Sequence, residues 1–114
     1  MKRVKTLTVL RKVEKLVANP KTWCQGAYAR NHQDVPINFR SPEACKFCAE
    51  GAIFKTLTDI FGTYKVRGWL ELDQALDDIA KRQTGQAYLL DVNDDLGQEA
   101  AVKVIRAAIA ELGG

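Results

Sequence analysis

At 114 residues the chain is sized for a single domain spanning 1–114, because dividing it would leave two cores too small to stabilise themselves easily. Its 46% hydrophobic and 27% charged residues exclude a disordered chain, and no run of about 18 apolar residues exists to cross a membrane. The formal net charge of +3 hides an uneven spread: residues 1–21 carry seven bases (Lys2, Arg3, Lys5, Arg11, Lys12, Lys15, Lys21) against Glu14 alone, whereas nine acids face four bases from Trp69 onward.

The first predicted helix runs from about Thr6 to Ala18, where Val9, Val13, Leu16 and Val17 recur at helical spacing with Leu10 beside them. Asn19-Pro20 ends it, since the residue before a proline is pushed out of the helical region. The N-terminal stretch MKRVKTLTVLRKVEKLV is basic, broken by charges every few residues and without an apolar core or a small-residue cleavage site, so it is not expected to be a signal peptide. Residues 20–40 then form one long connection whose aromatics, Trp23, Tyr28 and Phe39, predict an ordered loop.

The second helix is expected from Ser41, a good N-cap followed by Pro42 and Glu43, to about Phe61, with Gly62 as its stop. It reads as apolar on most sides, with a polar stripe of Glu43, Lys46 and Glu50, and therefore as the central buried helix. Gly51, with Ala49 and Ala52, offers a narrow surface that another backbone or a ligand can approach closely, and close packing of a neighbouring helix is the preferred reading. A third helix is predicted over about Leu70–Gln83, capped by Gly85, and a fourth over about Gly97–Leu112 with Val102, Ile105, Ile109 and Leu112 as its seam. Between them, residues 86–96 read as an extended segment pinned to the core by Tyr88, Leu90 and Val92. The fold class is all-α: a compact bundle of about four helices with one long ordered loop.

Three cysteines, an odd number without an export signal, favour free thiols in a reducing cytoplasm. The stretch CKFCAEGA raises a metal question, because Cys24, His32, Cys45 and Cys48 would make a Cys3His set for zinc. Zinc pairs sit on turns that wrap the ion, however, and Cys45 and Cys48 are expected inside a capped helix. A redox pair would open the helix after a strand, and no such strand is predicted. The preferred reading is Cys48 as a small buried residue with Cys45 one turn away, and neither metal nor cofactor. DVNDDLGQE starts like a calcium loop, but Leu96 stands where glycine is needed and Val102 where the bidentate glutamate belongs. Asn93, Asp94 or Asp95 as a cap for the last helix explains most of it, with Asp95 and Gln98 at capping-box spacing.

WCQGAYAR, SPEACKFCAEGAI and DVNDD, ahead of the last helix, together resemble a family of small bacterial and phage-encoded helical proteins of unknown function. Trp23, Gln25, Gly26, Ala44, Cys48, Gly51, Ala52, Asn93 and Asp94 match its pattern of W-x-Q-G, A-x-x-x-C-x-x-G-A and N-D, across about residues 5–112. The resemblance implies a compact helical domain and supplies no activity.

Three functions compete. In the first, Trp23, Gln25, Gly26, Tyr28, Arg30, Asn93 and Asp94 converge from the two irregular segments. They form a ligand-binding site on a small soluble interaction module, without membrane attachment and possible as a homo-oligomer. Its partner would be a small polar or nucleotide-like ligand, or a protein; in a phage, it would sequester or act on a host component. In the second, Lys5, Arg11, Lys12 and Lys15 on the first helix bind nucleic acid, against the repulsion of the acidic C-terminal half. In the third, a small enzyme uses Asp94 or Glu50 as a base. No phosphate loop or activated-serine pattern supports it.

Overall fold

The computed structural model describes residues 5–112, so Lys2 and Arg3 of the basic N-terminal run lie outside the described residues. In chain order the elements are α1 (Thr6–Ala18), β1 (Ala29–Arg30), β2 (Lys46–Phe47), α2 (Ala49–Phe61), α3 (Trp69–Thr84), α4 (Leu89–Asp91), a π-helical turn (Val92–Leu96) and α5 (Gln98–Leu112). α1 packs against α5 and α2, while α3 closes on the other side of α5. The protein is helical, with one small two-stranded ribbon.

α1, α3 and α5 follow their apolar periodicity. Val9, Leu10, Val13 and Val17 of α1 are buried, and Leu72, Leu76 and Ile79 of α3 face inward with Ala80. Ala101, Val102, Val104, Ile105 and Ala108 of α5 meet them in one continuous core. Gly62 and Gly85 close α2 and α3 in the left-handed conformation. None of the helices described is long and apolar enough to cross a membrane.

The second helix departs from expectation: it begins at Ala49, not Ser41. Residues 45–48 are claimed by the long loop. Cys45 N–H donates to the Arg30 carbonyl (3.0 Å), Phe47 N–H to Thr22 (2.8 Å) and Cys48 N–H to Tyr28 (3.3 Å). Lys46 and Phe47 therefore pair antiparallel with Arg30 and Ala29. Ser41 caps only a turn, its Oγ accepting from Glu43 N–H at 3.2 Å. Cys45 thus lies outside the helix and Cys48 is the N-cap, its Sγ accepting from Gly51 N–H at 3.2 Å. The proposed polar stripe also fails, because Glu50 is buried.

Residues 86–96 are not extended. They wind into α4 and the π turn, closed by Gly97 N–H on the Val92 carbonyl (3.1 Å). Leu89 and Val92 are buried there, whereas Tyr88, expected as an anchor, is exposed. Phe54 gathers Tyr28, Phe39, Tyr64 and Trp69 in an aromatic group with centroid separations from 4.7 to 6.3 Å. This group orders the middle and end of the long loop.

Candidate functional site

Asn93 sits in the π turn with no exposed surface and uses its whole amide. Its Oδ1 accepts from the Trp23 indole Nε1 (2.7 Å) and from Ala49 N–H (2.9 Å). Its Nδ2 donates to the Cys24 carbonyl and to Asp94 Oδ1, both at 3.0 Å. A side-chain amide has four such positions, and all four are filled. Asn93 therefore serves the first N–H of α2, beside the Cys48 N-cap, rather than α5, and holds the loop, the helix start and the π turn in one place. Nor does Gln98 close a capping box with Asp95: its Nε2 donates to the Val17 carbonyl at 2.8 Å.

Around this node the structure brings together most of the expected site residues. Gln25 Nε2 reaches the carbonyls of Asn93 (3.1 Å) and Asp94 (3.3 Å), and Gly26 N–H donates to Asp94 Oδ1 (3.0 Å). Arg30 binds carbonyls instead of the Asp94 carboxylate: its Nη2 donates to Gln25 (3.0 Å) and its Nη1 to Asp34 (2.8 Å). Trp23, Gln25, Arg30 and Asn93 are thus committed to one another, and the loop they fix carries Tyr28 at the surface, 47% exposed.

Tyr28 reaches that position because Gly51 lets it. A Cβ on Gly51 would stand 1.9 Å from the Tyr28 carbonyl oxygen and 2.7 Å from its carbon. Both are backbone atoms, which cannot swing aside. The narrow surface read from the sequence receives the backbone of the long loop, not the packed helix expected there.

Two hollows share Tyr28 and Leu90. One, of about 310 Å³, is completed by Gly26, Ala27 and Asp94. The other, of about 220 Å³, lies between α2 and α3 and is completed by Glu50, Asp73, Asp77 and Tyr88. Glu50 is only 8% exposed, and burial first, then its hydrogen bond and charge interaction with Asp73, raise it to about 9. The Glu50 carboxyl thus holds its proton more tightly than an exposed one does. Burial also raises Asp77, against the Leu89 N–H that binds its Oδ1 at 2.9 Å. Burial first, and then the Glu50 carboxylate where it is ionised, raise the Tyr28 phenol above its ordinary value.

Asp73, Asp77, Tyr88 and Leu90 were missed as site residues from the sequence, and Glu50 figured only as a possible base. Asp73 and Asp77 were the available signal, since like charges four apart on one helix face repel.

The cysteines occupy different surroundings. Cys24 and Cys48 are buried, and burial raises both thiols, Cys48 to about 12. Such thiols are poor nucleophiles at neutral pH. Cys45 is partly exposed beside a hollow that includes His32 and Glu43. Among the described residues no three His, Cys, Asp or Glu side chains are placed to hold a metal ion.

No curated protein and no solved structure matches the chain. A family profile does, over residues 1–111. The helical domain organised by Trp23, Gly51 and Asn93 belongs to DUF6197, a family of unknown function.

Proposed function

We propose that the protein is a small binding module whose working surface is the seam centred on Tyr28 and Leu90. The observation that carries this is the sharing of those two residues by two adjoining hollows, one supplied with the Asp94 carboxyl and the other with those of Glu50, Asp73 and Asp77. Rigidly positioned loops are where binding residues concentrate, and here both contributing loops are pinned by the Asn93 amide. Of the expected site residues, Gly26, Tyr28 and Asp94 line the hollows. Trp23, Gln25, Arg30 and Asn93 hold the surface in shape, and Gly26 provides the close approach to Asp94. The ligand is a small polar molecule or a side chain of a protein partner, met in a reducing cytoplasm compatible with three free thiols.

Native mass spectrometry of the freshly purified protein identifies a retained ligand, whose affinity is then measured for variants. Tyr28→Ala and Leu90→Ser should each weaken binding at least tenfold, while leaving the melting temperature within a few degrees. Unchanged affinity in both variants would overturn the assignment of this surface.

A further inference from the structure

Independently of the Tyr28–Leu90 seam, we infer that the exposed face of α1 is a docking surface for duplex DNA, holding phosphates through Lys5, Arg11, Lys12 and Lys15 without reading base sequence.

The fold turns four scattered charges into one row. The core takes Val9, Leu10, Val13 and Val17 from α1, which leaves the opposite face to solvent. Lys5, at the N-cap, and Arg11, Lys12 and Lys15 are all exposed there. Their spacings of three, four and seven residues put them on one side of the helix, with Thr8 between Lys5 and Lys12 and no acid among them. Among the described residues none of the four forms an ion pair. The one acid of α1, Glu14, is engaged from α5 by Arg106 Nε at 2.7 Å, so it does not neutralise Arg11 or Lys15.

The acids that oppose nucleic-acid binding in the sequence are held elsewhere. Glu71, Asp73, Asp77 and Asp78 belong to α3, which packs on α5, whereas α1 packs on α5 and α2. Glu99, exposed at the start of α5, follows Gln98, whose Nε2 donates to the Val17 carbonyl. That acid stands at the C-terminal end of α1, the end away from Lys5. The repulsion expected from the C-terminal half is thereby displaced from the basic row, and a polyanion steered by the field meets α1.

Number, shape and chemistry choose the partner. At about 1.5 Å of rise per residue the row is about 15 Å long, and one strand of a DNA duplex carries a phosphate about every 3.4 Å of axis. Four cations therefore face about four phosphates. A single Arg, with no Asn or Gln beside it, does not make a reader of base edges, and the row has no aromatic ring on which the bases of a single strand would stack. Its one neutral hydrogen-bonding side chain is Thr8, too little for the 2′-hydroxyl contacts by which duplex RNA is held. A lipid surface fits no better, since the apolar face of α1 is already buried in the core and none remains to enter a bilayer.

The test is fluorescence anisotropy of a labelled duplex of about 20 base pairs titrated with the full chain, repeated between about 50 and 200 mM salt. Four neutralised phosphates predict a slope of about −3 to −4 in log affinity against log salt, a loss of roughly 100-fold over that range. Lys12→Gln combined with Lys15→Gln should weaken binding by roughly tenfold or more and reduce the slope by about two. The melting temperature should stay unchanged, because both side chains are exposed. Lys65→Gln combined with Lys81→Gln, exposed bases outside α1, should leave the affinity within about twofold. Duplexes of unrelated sequence should bind alike. The inference is overturned by absence of binding at the lowest salt, by a flat salt response, or by indifference to the loss of Lys12 and Lys15. Tighter binding of duplex RNA, of polyglutamate or of phosphatidylserine vesicles would put another partner in the place of DNA and overturn it equally. Tyr28→Ala and Leu90→Ser should leave DNA binding intact. A loss in either would assign the duplex to the seam instead, whereas a failure on α1 alone leaves the reading of that seam as a binding site standing.

Discussion

A single amide joins three parts of the chain in this fold. Asn93 accepts from an indole and a helix-starting N–H, and donates to a loop carbonyl and a carboxylate. Nothing apolar replaces it, because removing the amide leaves Trp23 Nε1 and Ala49 N–H without their acceptor. Each such orphan costs roughly 1–3 kcal/mol when buried. Asn93→Leu should therefore destabilise by roughly 3 kcal/mol or more in urea unfolding. Asn93→Asp should also be damaging, since it keeps the acceptor but points a second oxygen at the Cys24 carbonyl. A loss below about 1 kcal/mol in both would mean the node is dispensable. The importance of Asn93 was half legible in the sequence: it stood out beside an apolar run and within the family-like pattern. Its partner was misassigned to the following helix because capping was sought locally, whereas its Oδ1 serves a residue 44 positions upstream.

At the scale of elements, the sequence was most reliable where structure is locally determined. Thr6–Ala18 was read to the residue, and α3 and α5 to within a position or so, because periodicity and glycine stops are written in the segment itself. The start of α2 was not, because a strong local signal at Ser41-Pro42 lost to pairing with residues 22–30. That pairing also fixes the packing of α2. Gly51→Ala would ordinarily gain about 1 kcal/mol of helix propensity. Here the added carbon collides with the Tyr28 backbone, so the loop must lift and the substitution should cost about 2 kcal/mol or more. Lys46→Leu, which removes only a surface pair with Asp34 at 3.3 Å, should stay within about 1 kcal/mol. Equal urea midpoints for the two variants would show that the close approach does not constrain the fold. The acidic cleft was illegible for a similar reason: Glu50 meets Asp73 and Asp77 only when the start of α2 and the first turns of α3 come together in the fold.

For the whole molecule, the cleft sets a pH dependence. Glu50 has an ordinary value of 4.5 and a folded value of about 9, so the folded state holds its proton more tightly than the unfolded chain. Stability unaffected by this group below about pH 4.5 must therefore fall as pH rises through the window up to about 9, and Asp77 adds in the same direction. Glu50→Gln removes the largest part of that slope. It should raise the melting temperature by several degrees at pH 8, corresponding to a few kcal/mol at most, and change it little at pH 4. A parallel pH profile for the variant and the parent would refute the link. One further consequence concerns the order of assembly during synthesis. All of α2 leaves the ribosome well before residue 93 does, yet its first turn lacks the Ala49 acceptor until then. The nascent chain thus cannot complete this domain from its N-terminal half, and the contact that seats α2 has to be made across the 44 positions that separate Ala49 from Asn93, which slows folding relative to a bundle of purely local contacts. A stall or truncation anywhere before the π turn leaves α2 formed in outline but unlatched, with its apolar face still open to the solvent and to other chains.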